Sequence, residues 1–370
     1  MRFLSALTVF LVFAGCVDRS QAPVVPVALQ IGSNRTVFAA TSRLPEADGT
    51  FGYRRSDTLR RLELTVSIPP GHEPGTLDFG YARPDPRKQF TMAGRKVFTD
   101  AQAFRSRLQQ ALGSQPDAAR DITIFVHGFN ATQAETAFRA AQVAHDTNMP
   151  GLLMAYSWPS RGKPLAYAYD GDSALFARDG LETLVREVKA AGVDRIVLVA
   201  HSMGSFLTME TLRQIDIQDP GWVARNLAGV VLISPDLDVE VFRAQMLRLS
   251  VVPKPFVIFV SSKDKVLNIS SRLRGTYRPQ RLGNLSSIDQ IRDLPVEVID
   301  ATAFADSAGS SHFIPATSPA LLAMLKGAQS VSRTFGPEEP ALQNLLSGLD
   351  VRAEGATEIV LAPGTGGNDR

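Results

Sequence analysis

Short apolar runs rich in β-branched residues recur along the chain, and stretches with apolar residues at helical spacing separate them. Six of the runs are almost wholly apolar, which is typical of strands buried on both faces of a parallel sheet: 122–126, 152–158, 196–200, 230–234, 256–261 and 296–301. Two earlier runs, at 37–40 and 62–68, predict antiparallel strands at one edge. Residues 131–147 and 172–191 predict helices. This alternation predicts an α/β fold with a mostly parallel eight-stranded sheet and helices on both faces.

Composition divides the chain into four parts. Residues 1–15 form an apolar leader, and the proline-containing residues 16–33 predict a tether. The alternating strands and helices occupy residues 34–328 and predict one globular domain. Residues 329–370 are rich in Gly, Pro, Ser and Glu, which predicts a loosely ordered tail with one short helix around residues 341–346.

Charge and cysteine content exclude several classes of function. The chain carries 39 Lys and Arg residues against 37 Asp and Glu residues, a net charge of +2. That balance argues against a protein that neutralises nucleic-acid phosphates, so we expect no nucleic-acid partner. One cysteine permits neither an internal disulfide nor a cysteine-rich metal site. The glycine-rich segment 364–367 lacks a following helix, and no paired histidines have zinc-binding spacing, so we expect no cofactor and no metal.

The N-terminal segment has the pattern of an export signal. Arg2 precedes an uncharged apolar run that is shorter than the roughly 20 residues of a spanning helix. The run ends in Ala-Gly-Cys at 14–16, which resembles a bacterial lipoprotein signal. That resemblance implies that Cys16 is the lipid-modified first residue of the mature chain and anchors it in the bacterial cell envelope. Val17 favours the outer membrane. The alternative is an ordinary secretory signal cleaved after Ala22.

A strand-to-helix turn carries the strongest chemical signal. The apolar strand 196–200 runs into His201 and Ser202, and a helical stretch follows. The positions two before and two after the serine are Ala200 and Gly204, both small enough for the strand and the helix to approach closely. A serine on such a turn adopts a strained backbone conformation that presents its hydroxyl above the sheet. We therefore expect Ser202 to be a nucleophile, and the alternative is a buried serine in a plain turn.

The partners of such a serine follow it in the order acid, then histidine. His312 is the one histidine downstream of Ser202, so elimination selects it as the base. Asp264 follows the strand 256–261 and is the favoured acid, because a carboxylate there would orient the imidazole and stabilise its charged form. Asp236 and Asp238 are rivals that follow the preceding strand, and the alternative role for them is to cap the next helix.

Acyl transfer also requires donors for an oxyanion. A His-Gly turn follows the strand 122–126, and this fold class places its first donor there. The backbone N–H groups of Phe129 and Met203 are the predicted donors. Gly128 is required because a side chain would obstruct the approach of the backbone. For Trp158 the alternative to a place in the substrate pocket is a structural role in packing. The residues expected to line the substrate pocket are His127, Gly128, Asn130, Trp158 and Tyr167.

Several sequence blocks together resemble a known group of enzymes. They are Val126-His127-Gly128-Phe129-Asn130, Ser157-Trp158-Pro159-Ser160-Arg161-Gly162, Ala200-His201-Ser202-Met203-Gly204, Ser234-Pro235-Asp236-Leu237-Asp238 and Ser261-Ser262-Lys263-Asp264. In these blocks the chain resembles α/β hydrolases of unassigned substrate, in the esterase/lipase superfamily. The resemblance covers residues 34–328 and implies the α/β-hydrolase fold and a Ser-His-Asp triad. It does not supply a substrate.

These features predict a lipid-anchored serine hydrolase that acts on a carboxylic ester or a thioester, with lipase, acyltransferase and amidase activities left open. The alternative class is a non-catalytic envelope scaffold that kept the fold. The expected partners are a small-molecule or lipid ester and, through the lipidated N-terminus, a membrane. The oligomeric state is left open. Four arginines after the acid strand favour a solvated loop over an anion-binding surface: Arg272, Arg274, Arg278 and Arg281.

Overall fold

A computed structural model describes most of the chain. The residues it describes are 19, 22–115, 120–267, 270, 281–284, 289–305, 312–318, 322, 349–353 and 358–363, the last two ranges as backbone. The predicted leader, Cys16 and the predicted helix around 341–346 lie outside the described residues.

The strands of the described residues form one sheet of eleven members. In chain order they are β1 (Ser33–Pro45), β2 (Phe51–Ile68), β3 (Thr91–Val97), β4 (Asp121–Val126), β5 (Leu152–Ser157), β6 (Arg195–His201), β7 (Leu227–Ile233), β8 (Phe256–Val260), β9 (Glu297–Asp300), β10 (Leu349–Ala353) and β11 (Glu358–Pro363). Across the sheet the order is β10-β11-β9-β8-β7-β6-β4-β5-β1-β2-β3. The seven pairings from β11 to β1 are parallel, and the three outer ones are antiparallel.

Each of the eight apolar runs lies on a strand, but the predicted count of eight is wrong. The antiparallel pairing of β1 with β2 is as expected. β3 was missed because its sequence, TMAGRKV, is not an apolar run, and it pairs with β2 at the outer edge. β10 and β11 lie in the segment where we expected a loosely ordered tail, and β11 extends the sheet beyond β9. The domain boundaries themselves remain predictions.

Side chains cap the first turn of three helices. Asp100 caps α1, Thr132 and Glu135 form a reciprocal capping box on α2, and Asp238 caps α6. Such a cap typically stabilises a helix by about 0.5–2 kcal/mol. None of the helices in the described residues is long and apolar enough to cross a membrane. The helices are α1 (Ala101–Gly113), α2 (Gln133–Asp146), α3 (Tyr167–Ala190), α4 (Met203–Gln218), α5 (Trp222–Asn226) and α6 (Val239–Met246), with short turns of helix at Pro26–Gln30, Thr302–Phe304 and Ile314–Thr317.

Helices cover both faces of the sheet, because alternate strand residues point to opposite sides. Phe38 of β1 joins a buried cluster that contains apolar residues of α1, α3, α4 and α6. Val37, its neighbour, joins a second cluster formed with α2 and with Ile314. The protein therefore has the α/β-hydrolase architecture, a mostly parallel sheet between two helical layers.

The order of the strands determines where a site can form. β4 lies between β5 and β6 in the sheet. The chain passes from β4 to its neighbour β5 on one side, and from β5 it crosses over to β6, the neighbour of β4 on the other side. Ligands of open α/β sheets bind at such a switch point, outside the carboxyl ends of the strands. Val126 at the end of β4 pairs with Ala200 near the end of β6. The loops after these two strands therefore emerge side by side.

Candidate active site

Ser202 lies in a strained turn between β6 and α4. Its backbone has φ 53° and ψ −125°, outside the conformations that a non-glycine residue ordinarily adopts. Such a conformation costs about 1–3 kcal/mol and persists only where the surrounding structure imposes it. The Ser202 N–H donates to the carbonyl of Ile233 on the neighbouring strand at 3.0 Å. α4 begins at Met203, so the positive end of the helix lies directly behind the serine.

The loop after β4, residues 127–131, packs tightly on this turn. It contains Phe129, the predicted oxyanion donor, and we call it the oxyanion loop after that prediction. A Cβ atom at Gly128 would lie 2.8 Å from the Cβ of Ser202, and one at Gly204 would lie 2.3 Å from the carbonyl oxygen of His127. Both distances are shorter than real Cβ contacts, so the backbones can approach only because both residues are glycine. The loop that contains Phe129 is thereby held against the serine turn.

Asp264 and His312 are in direct contact at the same edge of the sheet. Asp264 follows β8, and its Oδ1 accepts hydrogen bonds from the N–H groups of Val266 at 3.0 Å and Leu267 at 3.2 Å. Its Oδ2 lies 2.7 Å from Nδ1 of His312. The carboxylate is buried. A neutral His312 therefore carries its proton on Nδ1, which leaves Nε2 with the lone pair that a general base requires.

His201, the residue before the serine, contacts the same histidine. Its Nε2–H donates to the backbone carbonyl of His312 at 3.1 Å, and the two rings lie 4.8 Å apart. Burial, followed by the neighbouring His312, lowers the pKa of His201 well below its usual value, so this ring is neutral. Among the hydrogen bonds of the described residues, none joins the Ser202 hydroxyl to the His312 imidazole.

The rival carboxylates have other partners. Asp236 accepts hydrogen bonds from the hydroxyls of Tyr167 at 2.6 Å and Ser270 at 2.8 Å, and it pairs with the guanidinium of Arg281 at 3.2 Å. Asp238 caps α6 through the first N–H groups of that helix. Arg281 is buried in this cluster rather than solvated, and the other three arginines of its predicted group lie outside the described residues.

His127 and Trp158 support the oxyanion loop from inside the molecule. Their rings stack at 4.7 Å and 8°, and the indole Nε1–H donates to the His127 carbonyl at 2.7 Å. Both side chains are buried. Burial, followed by the charge of Arg43, lowers the pKa of His127 to about 3, so the ring is neutral at physiological pH. The structure places these two residues as packing beneath the loop.

Tyr167 lies against the outer part of the same loop. Its ring meets that of Phe129 edge-on at 5.3 Å, and its hydroxyl is held by Asp236. Asn130, the other predicted pocket residue, has a positive φ of 60°. Tyr167 and Phe129 are therefore the aromatic pair beside the predicted oxyanion donor.

A buried cation that sequence reasoning missed joins the site to β1. The guanidinium of Arg43 donates to Ser157 Oγ at 2.9 Å and to the carbonyls of Ser160 and Ala131, both at 2.8 Å. Burial lowers its pKa to about 10, so it stays charged at neutral pH. The sequence did contain a signal for Arg43. A cation at the end of an apolar strand predicts that buried acceptors lie around it.

Asp170 provides the negative charge near this arginine. It accepts hydrogen bonds from the Ser160 hydroxyl at 2.5 Å and from the N–H groups of Arg161 at 2.7 Å and Asn130 at 3.3 Å. Burial raises the pKa of the carboxyl group. Asp170 thus helps to fix the oxyanion loop through Asn130. Within the described ranges, no group of three His, Cys, Asp or Glu residues could hold a metal ion.

The predicted tether, residues 16–33, which we call the N-terminal arm, contacts the site through Arg19, another residue that the sequence did not single out. Its guanidinium donates to both carboxylate oxygens of Glu135, at 2.9 and 2.8 Å. It also donates to the side-chain oxygen of Asn130 at 2.8 Å, to the Asn130 carbonyl at 3.0 Å and to the Gly162 carbonyl at 2.8 Å. Burial disfavours this cation, but Glu135 outweighs the effect and raises the pKa of Arg19. The arm therefore holds the oxyanion loop from outside.

One protein family matches the chain. The model of a family described as "Alpha/beta hydrolase of unknown function (DUF900)" matches residues 100–329, which is more than half of the chain. The matched segment contains Ser202, Asp264, His312 and the oxyanion loop.

Likeness to individual proteins is weaker. The uncharacterized protein alr1448 of Nostoc sp. is 34% identical over 64 residues, which is 17% of this chain, and the chain spans 17% of that protein's length. A predicted CIB-like hydrolase of Thermoplasma acidophilum has 13% identity and a TM-score of 0.35, over 82% of this chain and 99% of that one. Esterase 2 of Thermogutta terrifontis, phosphoramylated by tabun, has 12% identity and a TM-score of 0.38, over 77% and 93%. These scores are too low to bear on mechanism.

Proposed function

Because the chain belongs to this family of alpha/beta hydrolases, we propose that it is a serine hydrolase that cleaves a carboxylic ester or a thioester through a covalent acyl-enzyme. Ser202 is the nucleophile, His312 the general base and Asp264 the residue that orients His312. The observation that carries the proposal is the strained Ser202 at the start of α4, on the same sheet edge as the 2.7 Å contact between Asp264 and His312. The pairing of Ser202 with His312 is part of the proposal, since catalytic hydrogen bonds are often long in an unliganded enzyme.

In the first half of the reaction the Ser202 oxygen attacks the carbonyl carbon of the ester. The serine proton passes to Nε2 of His312, and Asp264 stabilises the imidazolium that forms. The tetrahedral intermediate then collapses, the bond to the leaving group breaks, and His312 gives its proton to the departing alcohol or thiol. The acyl group remains on Ser202.

The negative oxygen of the intermediate needs donors that are fixed before the reaction begins. The N–H of Met203, at the start of α4, and the N–H of Phe129, in the oxyanion loop, have this role in the proposal. Losing one such donor typically costs about 2.7–4 kcal/mol of transition-state stabilisation. The contacts of Arg43, Asp170 and Arg19 with the loop support it, because they restrict the loop before substrate binds.

In the second half a water molecule repeats the attack. His312 removes a proton from the water, the oxygen attacks the acyl carbon, and the Ser202 oxygen leaves with a proton returned by the imidazole. An acyltransferase would use an alcohol in place of water, and an amidase would release an amine.

We also propose that Cys16 carries a lipid that anchors the enzyme in the bacterial cell envelope, and that the substrate is a small-molecule or lipid ester. The support is the Ala-Gly-Cys sequence after a short apolar run. Mass spectrometry of the mature N-terminus tests the anchor: a lipid-modified Cys16 is expected. An unmodified Cys16, or cleavage after Ala22, would contradict it.

Labelling by a fluorophosphonate probe tests the nucleophile. Wild type should be labelled, and Ser202→Ala should abolish both the labelling and the hydrolysis of p-nitrophenyl esters. Ser234→Ala is the matched control, because Ser234 also has a positive φ, of 44°, and follows the adjacent strand β7. This control should be labelled like wild type.

Equal labelling of wild type and Ser202→Ala would overturn the assignment of the nucleophile. No labelling and no hydrolysis of any ester, thioester or amide by a folded wild type would favour the non-catalytic scaffold. A panel of p-nitrophenyl esters of graded chain length would then define the acyl specificity of an active enzyme.

A further inference from the structure

The contacts of Arg19 place one residue of the predicted tether beside the oxyanion loop. The guanidinium is bound to Glu135, to Asn130 in the oxyanion loop, and to the carbonyl of Gly162. Cys16 precedes Arg19 by three residues, a span of at most about 11 Å in a fully extended chain. A lipid on Cys16 would therefore enter a membrane close to the rim of the proposed active site.

A fully exposed leucine lies on the same rim. Leu165 is 99% exposed, more than any other large apolar side chain in the described part of the chain. It lies between Gly162, which Arg19 contacts, and Tyr167, whose ring packs on Phe129. The leucine is thus on the segment that joins the N-terminal arm to the aromatic pair beside the oxyanion donor.

Basic and aromatic side chains surround this leucine. Arg161 and Lys163 are exposed on the same segment. The Arg161 guanidinium lies 5.0 Å above the ring of Tyr53 and 5.8 Å from that of Tyr169. Cations attract anionic headgroups, tyrosines are enriched at membrane interfaces, and an exposed apolar side chain gains free energy when it leaves water, so this combination suits contact with an anionic bilayer. The whole chain carries a net charge of only +2, so the two cations beside Leu165 do not simply reflect a basic protein.

We propose that the segment 161–165 docks on the membrane that holds the lipid of Cys16, so that the active-site rim faces the bilayer and the enzyme draws lipid esters from it. This inference rests on the proposed function for its substrate and on the proposed anchor for its position. Leu165 inserts among the acyl chains, Arg161 and Lys163 bind anionic headgroups, and Arg19 ties the anchored arm to the oxyanion loop. The lipid on Cys16 and the inserted side chain of Leu165 together fix the orientation of the enzyme on the membrane.

Fluorescence quenching tests the docking directly. Leu165→Cys is labelled with an environment-sensitive fluorophore in the lipidated chain, where acylation blocks the thiol of Cys16, the one cysteine of the natural sequence. Leu247→Cys is the matched control, because Leu247 is 67% exposed and follows the end of α6, which runs away from this edge of the sheet. The protein is reconstituted in vesicles of phosphatidylethanolamine and phosphatidylglycerol that contain nitroxide-labelled lipid.

The label at position 165 should be strongly quenched, and the label at position 247 should remain in water. Equal quenching at both positions would overturn the docking surface, because the membrane contact would then not be specific to this segment. No quenching at position 165 would also overturn it and would favour a protein partner for this segment.

Kinetics with two forms of substrate separate docking from catalysis. Leu165→Ser should lower hydrolysis of an ester embedded in the vesicles by about tenfold, because one buried leucine side chain is lost from the membrane contact. It should leave hydrolysis of a soluble short-chain ester unchanged, and Leu247→Ser should change neither. If wild type hydrolyses neither substrate while position 165 is quenched, the proposed function fails and the docking stands. If Leu165→Ser hydrolyses both substrates like wild type, the docking surface is wrong and the proposed function stands.

Discussion

Two aspartate–histidine pairs with buried carboxylates occur in the described residues, and their contacts are nearly the same. Asp264 Oδ2 lies 2.7 Å from His312 Nδ1, and Asp146 Oδ1 lies 2.6 Å from His72 Nε2. Both carboxylates also accept backbone N–H groups, from Val266 and Leu267 in the first pair and from Gly75 in the second. The pair contact therefore does not by itself distinguish a catalytic site from a structural one.

The surroundings of the second pair make it structural. A hydroxyl is present, since Thr76 Oγ1 lies 3.5 Å from His72 Nδ1, but it donates its proton to the Glu73 carbonyl at 2.7 Å. Thr76 belongs to an ordinary exposed turn, whereas Ser202 has a strained backbone at the start of a helix. The second pair also has no oxyanion loop beside it among the described residues. The strained turn of the proposed nucleophile and the loop of the proposed oxyanion donor are therefore the features that distinguish the first pair from the second.

The second pair nevertheless supports the first. Gln142 donates to Asp146 Oδ2 at 2.5 Å and to the Ala316 carbonyl at 3.0 Å, in the short helix that follows His312. A Cβ at Gly75 would lie 2.6 Å from the Thr317 carbonyl oxygen, so that loop packs closely on the same helix. We infer that the Asp146 cluster holds the segment that carries His312.

The largest expected effect comes from exchanging each aspartate for asparagine. Asp264→Asn should lower kcat by up to about 10⁴-fold, because the amide favours the wrong tautomer of His312. Asp146→Asn, the matched control, should retain nearly all of kcat. Steady-state ester hydrolysis with both purified variants, after circular dichroism has shown that they are folded, measures the difference. Similar losses in the two variants would contradict the comparison.

The second expected effect is on stability instead of kcat, and it comes from the second pair, through Asp146→Asn. Burial opposes ionisation of Asp146, but hydrogen bonds from His72, Gly75 and Gln142 outweigh it and hold its pKa below the usual value. A depressed pKa stabilises the fold above the unfolded-state pKa of about 4 and loses this contribution as the pH falls through the folded-state pKa. Asp146→Asn should therefore be less stable than wild type at neutral pH, by about 1–3 kcal/mol.

Denaturant unfolding at a series of pH values measures this effect. The difference between wild type and Asp146→Asn should be largest above about pH 4 and should shrink in stronger acid. A difference that stays constant down to the acid limit would show that the ionised carboxylate is not the source of the stability.

The third effect tests the oxyanion loop, which only the first pair has nearby in the described part of the chain. Arg19→Ala removes the hydrogen bonds to Asn130 and Gly162, so kcat should fall by about tenfold as the Phe129 donor becomes less well positioned. KM for a soluble ester should change little. Arg19→Lys keeps the charge beside Glu135 and should recover part of kcat. A rise in KM with kcat intact would assign Arg19 to substrate binding instead.

The smallest effect concerns the link between the two pairs. Gln142→Leu removes one donor to Asp146 and the bond to Ala316, so the free energy of unfolding should fall by about 1 kcal/mol, with a small loss of kcat. Gln214→Leu is a control in the same substitution class, since Gln214 bonds Asp179 and Glu182 near the surface. Equal kcat in Gln142→Leu and wild type would show that the support is not needed for catalysis.

Local pattern was sufficient to predict much of the fold. Each apolar run lies on a strand. A strand that is buried on both faces has an almost wholly apolar sequence, so the pattern alone was sufficient to predict it. β3 was missed because Gly94, Arg95 and Lys96 interrupt its apolar pattern, and an edge strand can tolerate this. The two C-terminal strands were missed because their neighbours are rich in turn-forming residues and suggested a tail.

At the site, the turn at Ser202 was predictable because strain and close packing leave a short-range signature of small residues. The choice among Asp264, Asp236 and Asp238 was only a preference in the sequence, because all three follow strands at one edge. The structure separates them by their partners: His312 for the first, Tyr167 and Arg281 for the second, and the first turn of α6 for the third.

The sequence by itself determined the periodicity of the strands, the serine turn and the glycines that let two backbones meet. Each of these is set by contacts between residues close in the chain or by the burial of a whole segment. Only the tertiary structure decided which carboxylate meets which histidine, and that Arg43 and Arg19 hold the oxyanion loop from inside and outside. These partners are more than 40 residues apart in the chain, and a charged side chain gives no local sign of the distant group that compensates it.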